Sequence, residues 1–394
     1  MRAALGRIAL VVLGVSAGLI GVEAVLRLAA SRSENFFAHH PIYGWFHIPG
    51  REGWFASREF RTRVTINSKG LHDREFSYQK EAGVFRILVL GDSMMDAMQV
   101  NGRDSFSKVL ERLLEQDSRG RFEVINAGVN AWGTANELLF FRHEGYKYQP
   151  DLVLLAFCTC NDIANNSDEL SHDLGFSGPV PVFRLAADGL RLEYGLQPSF
   201  RDNPVASRLE PIKGALRRLY VYDKIREAVV GFPSVARLLV RTGVMRDYQS
   251  GLRGELYGHY SRTYTREWEE AWAVTRALIA EIDLEVARRG ARLVVVILTN
   301  PEQVHGEIWN EIVDRFTLPE GDMDLDRPDQ LLATFLAEEG IPYMRLLPRF
   351  RAQARAAGEY LHFRHDGHWT ARGHRFAAET VYGSLTGTKL VPGR

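Results

Sequence analysis

Three runs in this 394-residue chain are built almost entirely from aliphatic and aromatic side chains: Phe85-Arg86-Ile87-Leu88-Val89-Leu90, Leu152-Val153-Leu154-Leu155-Ala156-Phe157 and Leu293-Val294-Val295-Val296-Ile297-Leu298. Each has the length of a strand. A strand that is apolar throughout, rather than at alternate positions, must be covered on both faces. Phe122-Glu123-Val124-Ile125 and Ile341-Pro342-Tyr343-Met344 read as two shorter strands. Helical spacing separates them: Phe106, Val109, Leu110, Leu113 and Leu114 after the first, then 134–143, 262–289 and a last helix over about 371–383. Doubly covered strands alternating with helices specify an α/β fold with a parallel, doubly wound, five-stranded sheet.

Outside that frame the patterns differ. Residues 31–50 read as a polar and aromatic connector, and 51–80 as short strands and turns. Arg61–Ile66 alternates as a half-buried strand does, and Asn67-Ser68-Lys69-Gly70 signals a turn. A long excursion over about 163–260 separates the third and fourth strands. It holds a hairpin around Ala187-Asp188-Gly189 and basic helical segments over about 209–246. It reads as a cap over the active face, since long insertions in compact domains are often functional. The expected organisation is 1–30 as an anchor, 31–83 as a connector with short strands, and 84–390 as one domain carrying the insertion.

At the N-terminus Arg2 and Arg7 precede an uncharged apolar run, Ile8–Val22, which Glu23 interrupts before Ala24-Val25-Leu26 and Arg27. Counted through Glu23 it is long enough for a transmembrane signal anchor. A cleaved signal ending near Leu28-Ala29-Ala30 and a buried soluble helix are the alternatives. The basic residues ahead of the run place the rest of the chain outside the cytoplasm, on the periplasmic face of a bacterial inner membrane. Lys and Arg number 49, as do Asp and Glu, so the balance offers nothing to a polyanion such as nucleic acid. The only cysteines, Cys158 and Cys160, read as two buried small side chains, because neighbours along a strand alternate faces and do not bridge easily. There is no Cys/His cluster at metal spacing and no phosphate-binding glycine loop after the first strand, so neither a metal nor a cofactor is expected.

Ligands of open α/β sheets bind beyond the carboxyl ends of the strands, and four segments fall there. Leu90-Gly91-Asp92-Ser93 presents a hydroxyl after the first strand. Asn126-Ala127-Gly128-Val129-Asn130-Ala131-Trp132-Gly133 comes after the second, where Gly128 admits close backbone approach. Cys160-Asn161-Asp162 comes after the third, with an amide able to donate and a carboxylate able to position the loop. Asp366-Gly367-His368-Trp369 supplies an imidazole with a carboxylate beside it, the pairing that activates a serine. Taken singly, each also reads as a turn or helix cap.

In this order the segments resemble the SGNH (GDSL) hydrolases, whose four blocks supply Ser, Gly, Asn and His; the resemblance spans about 84–162 and 262–385. It implies a three-layer, flavodoxin-like fold and a serine triad of Ser93, His368 and Asp366. It also implies that the Ser93 N–H, Gly128 and Asn161 are the oxyanion donors. The chain departs from the family in three places. Thr159 stands two residues before Asn161, where a glycine is usual. Met94-Met95-Asp96-Ala97 lacks the glycine often found after the serine. The acid and base are spaced Asp-x-His rather than Asp-x-x-His. That spacing, with Trp369 next to it, is similar to exported polysaccharide O-acetylesterases and O-acetyltransferases, which implies an acylated cell-envelope glycan as substrate and envelope polysaccharide machinery as partner. A lipid esterase and an inactive glycan- or partner-binding protein are the competing readings. His365 is the alternative base, His374 is structural, and Trp132, Trp309 and Trp369 are candidates for sugar stacking, though core packing is their commoner fate. Thr299-Asn300-Pro301-Glu302-Gln303-Val304, similar to a stretch in the exported members, reads as a structural loop.

Overall fold

The five apolar runs form one parallel sheet in the computed structural model, which describes residues 2–29, 34–117, 120–171, 178–187, 189–195, 204–216, 219–230, 232–242, 244–245, 254–358 and 360–392. Its strands are β1 (Val84–Gly91), β2 (Arg121–Gly128), β3 (Leu152–Phe157), β4 (Arg292–Ile297) and β5 (Tyr343–Arg345), in the order β5-β4-β3-β1-β2. Side chains alternate between two apolar layers. Ile87 and Val89 of β1 pack with Val109, Leu110 and Leu114 of the helix Phe106–Asp117 and with Ala377, Val381 and Leu385 of the C-terminal helix Ala371–Gly387. Leu88 and Leu90 face the other way, with Leu138 and Phe141 of the helix Thr134–His143 and Leu278 and Ile282 of the helix Arg266–Arg288. Each fully buried aliphatic side chain of this kind contributes about 1.5–3 kcal/mol. The three-layer α/β arrangement is thus the one the apolar runs require.

Registers level the strand ends. Gly91 pairs with Gly128 on one side and Ala156 on the other, and Phe157 pairs with Ile297. The chain leaves β1 toward β2 and later returns to place β3 on the opposite side of β1. The crevice between the β1 and β3 ends is therefore the topological switch point, where such sheets bind ligands.

Residues 34–198 and 254–394 form one compact unit. Within it the stretch read as a connector is structured: Phe37–His40 pairs antiparallel with Gly44–His47, and Tyr43, Trp45 and Phe46 are buried in the cluster that holds Trp132. Aromatic density supplies the reason, because rings this large must be covered. Glu52–Ala56 pairs with Arg61–Thr65, and Val180–Ala186 with Gly189–Gly195 around the expected turn, whose residue 188 lies outside the described residues.

Residues 1–33 group instead with 199–253. The apolar N-terminal segment is one helix, Arg2–Ala29. Among the described residues, however, no helix is long and apolar enough to cross a membrane, which corrects the transmembrane reading of residues 1–30. The interruption is physical. Glu23 accepts the backbone N–H groups of Tyr220 and Val221 at 3.2 and 3.0 Å and pairs with Arg27 at 2.7 Å. The uncharged stretch before it spans roughly 22 Å at 1.5 Å per residue, short of the ~30 Å hydrocarbon core. The basic segments after residue 203 form the helices Pro204–Leu216, Tyr220–Val230 and Pro233–Arg241.

Candidate active site

The chain leaves β1 through Gly91, where a Cβ would meet the Met95 side chain at 2.6 Å. Asp92 then accepts the Met94 N–H at 2.9 Å and caps a single helical turn, Ser93–Asp96. That turn leaves Ser93 part-exposed among buried neighbours. Its hydroxyl donates to His368 Nε2 at 2.7 Å, and His368 Nδ1–H donates to Asp366 at 2.6 Å. Burial pushes the His368 imidazolium down, but the hydrogen bond and charge of Asp366 outweigh it, so its pKa lies above the ordinary value.

The loop carrying the acid and base is tied at both ends. Phe363 N–H donates to the His368 carbonyl at 2.7 Å, and Thr370 N–H to Leu361 at 2.9 Å. Between Asp366 and His368 sits Gly367 at φ +87°, a left-handed turn open to glycine at little cost; here the Asp-x-His spacing accompanies a direct carboxylate–imidazole bond. Trp369 Nε1–H donates to Thr299 Oγ1 at 3.2 Å, anchoring the loop to the segment after β4. Glu59, from the hairpin tip between Glu52–Ala56 and Arg61–Thr65, accepts the N–H groups of His365 and Asp366 at 3.0 and 2.8 Å. His365 has an exposed side chain, and it is His368 that meets Ser93. His374 is buried and accepts the Phe106 N–H at 3.3 Å, a contact between two helices.

The loop after β2 differs from the expectation in one donor. The Gly128 N–H is engaged by Asn126 Oδ1 at 3.0 Å. A Cβ at Gly128 would lie 2.4 Å from the Asp96 nitrogen, so this glycine admits the nucleophile turn against the strand end. Along 129–133 the other N–H groups also have acceptors: Val129 on Gly91 O, Asn130 on Asp96 Oδ2, Trp132 on Val129 O and Gly133 on Asn136 Oδ1. Ala131 is the exception among the described residues. It is part-exposed and adopts φ +61°, a strained setting for a residue with a Cβ. Within 129–133 its N–H is the one without an acceptor among the described residues.

Asp96 joins the two loops. Its Oδ2 lies 3.1 Å from both the Asn130 nitrogen and His47 Nε2, and its Oδ1 is 3.4 Å from His72 Nδ1. Burial would raise this carboxyl, but His47 and His72 outweigh it and hold it at about 2. Asn126 adds a second tie, donating to the Met95 carbonyl at 2.8 Å.

The loop after β3 carries a correction. Cys158 and Cys160 form a disulfide, with Cα atoms 5.3 Å apart. As i and i+2 they would share a face on a strand but stand roughly 6.6 Å apart; β3 ends at Phe157, and beyond it the chain turns and draws them together, the N–H of Asp162 bonding the Cys158 carbonyl at 3.0 Å. Asp162 accepts the Cys158 N–H at 2.7 Å and so positions this loop. Asn161 is part-exposed, its amide 3.4 Å from the Trp132 carbonyl of the neighbouring loop. Thr159 is buried, with the Asn300 amide 3.5 Å from its hydroxyl. Asn300 also donates to Tyr260 at 2.9 Å, and Gln303 bonds the Asn300 N–H and the Leu325 carbonyl, so 299–304, expected as a loop, is a held segment whose Pro301–Val304 forms a helical turn capped by Asn300.

Behind these loops lie three buried acids. Burial raises Asp92 to about 6 against the Met94 N–H, and burial with mutual repulsion raises Glu137 and Asp162 well above the usual carboxylate range. Both Glu137 oxygens lack a partner among the described residues. Burial thus biases Glu137 and Asp162 toward the neutral acid. Trp132, Trp309 and Trp369 are all buried, which removes them as sugar platforms.

Gly128→Ala is expected to destabilise the fold by about 1–3 kcal/mol, the usual cost of overpacking. Denaturant unfolding of the two proteins measures it, and equal midpoints would contradict the packing role.

Residues 251–393 match the family described as SGNH hydrolase-like domain, acetyltransferase AlgX. Among solved structures, an acetyl xylan esterase aligns over 76% of this chain and 100% of its own, at 10% identity and TM-score 0.40. A catalytic mutant of an acetylxylan esterase from Geobacillus stearothermophilus aligns over 76% and 94%, at 11% identity and TM-score 0.39. TesA aligns over 76% and 97%, at 11% identity and TM-score 0.35. No curated protein matches the sequence. The family match makes residues 251–393 similar to the SGNH hydrolase-like domain of the acetyltransferase AlgX.

Proposed function

We propose that the protein is a serine esterase or acyltransferase acting on O-acyl groups, foremost O-acetyl groups, of a cell-envelope polysaccharide or glycan. One observation carries the reading: Ser93 Oγ, His368 and Asp366 form a continuous relay with contacts of 2.7 and 2.6 Å. In the first half-reaction Ser93 Oγ bonds to the acyl carbon while its proton moves to His368 Nε2. The ester C–O bond then breaks, and His368 returns the proton to the departing sugar oxygen. Asp366 holds the imidazole in the tautomer that accepts at Nε2 and stabilises its charged form. The negative oxygen of the tetrahedral intermediate is met by the N–H groups of Ser93 and Ala131 and by the Asn161 amide. A water or a sugar hydroxyl, deprotonated by His368, attacks the acyl-enzyme and frees Ser93.

The bias of Glu137 and Asp162 toward the neutral acid supports this chemistry, because a neutral acid behind the loops opposes a developing oxyanion less than a carboxylate does. The AlgX description, which names an acetyltransferase, supports the acyl group and the transfer outcome. A location outside the cytoplasm belongs to the same proposal. The Cys158–Cys160 disulfide supports it, since such bonds persist in oxidising compartments. Envelope polysaccharide machinery is the proposed partner.

Hydrolysis of p-nitrophenyl acetate tests the reading. Ser93→Ala and His368→Ala are each expected to lower turnover roughly a thousandfold or more; equal turnover in all three proteins would refute the site. The pH profile tests the electrostatics. The base must be neutral, so kcat is expected to fall as pH drops through a His368 pKa above the ordinary value of 6.5. Asp366→Asn removes the leading cause that raises it. That variant is expected to lose roughly a thousand- to ten-thousandfold in rate and to shift its acidic limb downward.

A further inference from the structure

We propose that the helical unit formed by 1–33 and 199–253 is a docking surface for an anionic lipid bilayer, lying in the interface rather than crossing it. This goes beyond the proposed reaction and does not rest on it. The unit exposes large apolar side chains that a water-facing helix would bury. Ile225, Phe232 and Leu238 are 55, 65 and 60% exposed, and Leu10 and Ile20 of the helix Arg2–Ala29 are both 70% exposed. Phe232 lies between the helices Tyr220–Val230 and Pro233–Arg241. Val235 and Leu238, three residues apart and so on one helix face, are both exposed. Monomers rarely leave apolar surface of this extent to water.

Charge identifies the occupant. Residues 204–245 hold eight Lys and Arg against three Asp and Glu, within a chain whose totals balance at 49 each. Lys224 and Arg226 of the helix Tyr220–Val230 and Arg241 of the helix Pro233–Arg241 are exposed. Exposed apolar side chains with basic neighbours on short helices fit the headgroup boundary of an anionic leaflet. The unit also has an apolar groove, lined by Leu209, Tyr222, Val229, Leu239 and Met245 together with Lys213 and Arg226, which fits an acyl chain carrying an acidic headgroup. The N-terminal helix belongs to the same surface through Glu23, which caps the helix Tyr220–Val230. Its uncharged run is too short to cross, and a position in the plane of the interface would cover the exposed Leu10 and Ile20.

The test uses the full chain with Phe232→Cys labelled by an environment-sensitive fluorophore, the native cysteines being paired with each other. It is mixed with phosphatidylcholine vesicles with or without phosphatidylglycerol, and binding is read by flotation. The expected result is flotation with the phosphatidylglycerol vesicles only, a blue shift of the label on binding, and weakening at high salt. Reversal of charge in the double variant Lys224→Glu, Arg226→Glu is expected to weaken flotation roughly tenfold or more, with circular dichroism unchanged. Flotation without a blue shift would mean that the N-terminal helix attaches alone. That outcome, absence of flotation, or equal binding to neutral vesicles would each overturn the proposal.

Discussion

Ser93 and His368 stand 275 residues apart and share a hydrogen bond because the parallel strands end level. The pairing of Gly91 with Gly128 and Ala156, and of Phe157 with Ile297, delivers the turns after β1 to β4 to one edge of the sheet. The doubly buried strands make that alignment stiff, since a slip of one residue would send every apolar side chain to the wrong layer. Within that edge Asp96 is the second constraint. Its carboxylate holds the Asn130 N–H from one loop while its own turn carries Ser93, and two histidines keep it ionised inside the protein.

The site divides its charge. Above the sheet edge, Asp366 and His368 form an ion-pair-ready couple with the imidazole pKa raised. Below it, Asp92, Glu137 and Asp162 are pushed toward the neutral acid by burial. Groups of one chemical type thus play opposite roles because their surroundings differ. In the proposed reaction this bias of Glu137 and Asp162 lessens the like charge behind a developing oxyanion, while Asp366 stays beside the imidazole.

The central sheet was legible because its signal is local: six apolar residues in a row admit few structures. Position after strands and before the last helix, with the family resemblance, points to Ser93, Asn161, Asp366 and His368, and the structure brings Ser93, His368 and Asp366 into contact. Gly128 was read for its conformational freedom, but its use is packing, and its N–H faces Asn126. Ala131, the proposed further donor, carries no sequence signal; its N–H stands out only once the acceptors of its neighbours are known. The aromatic connector was misread because its covering partner, Trp132, is distant in sequence. The disulfide is not legible in the sequence because the turn that closes it begins where β3 stops at Phe157, so strand geometry does not extend to Cys158 and Cys160. Glu59, His47 and His72 reach the site through tertiary contacts alone.

The activation of Ser93 by His368 is tested most directly by covalent trapping. A fluorophosphonate, which bonds only to an activated serine, is incubated with wild type and with His368→Ala, and the labelled peptides are mapped by mass spectrometry. The account predicts a label on Ser93 in wild type and its loss in the variant. A label on another serine, or equal labelling of Ser93 in both proteins, would contradict it.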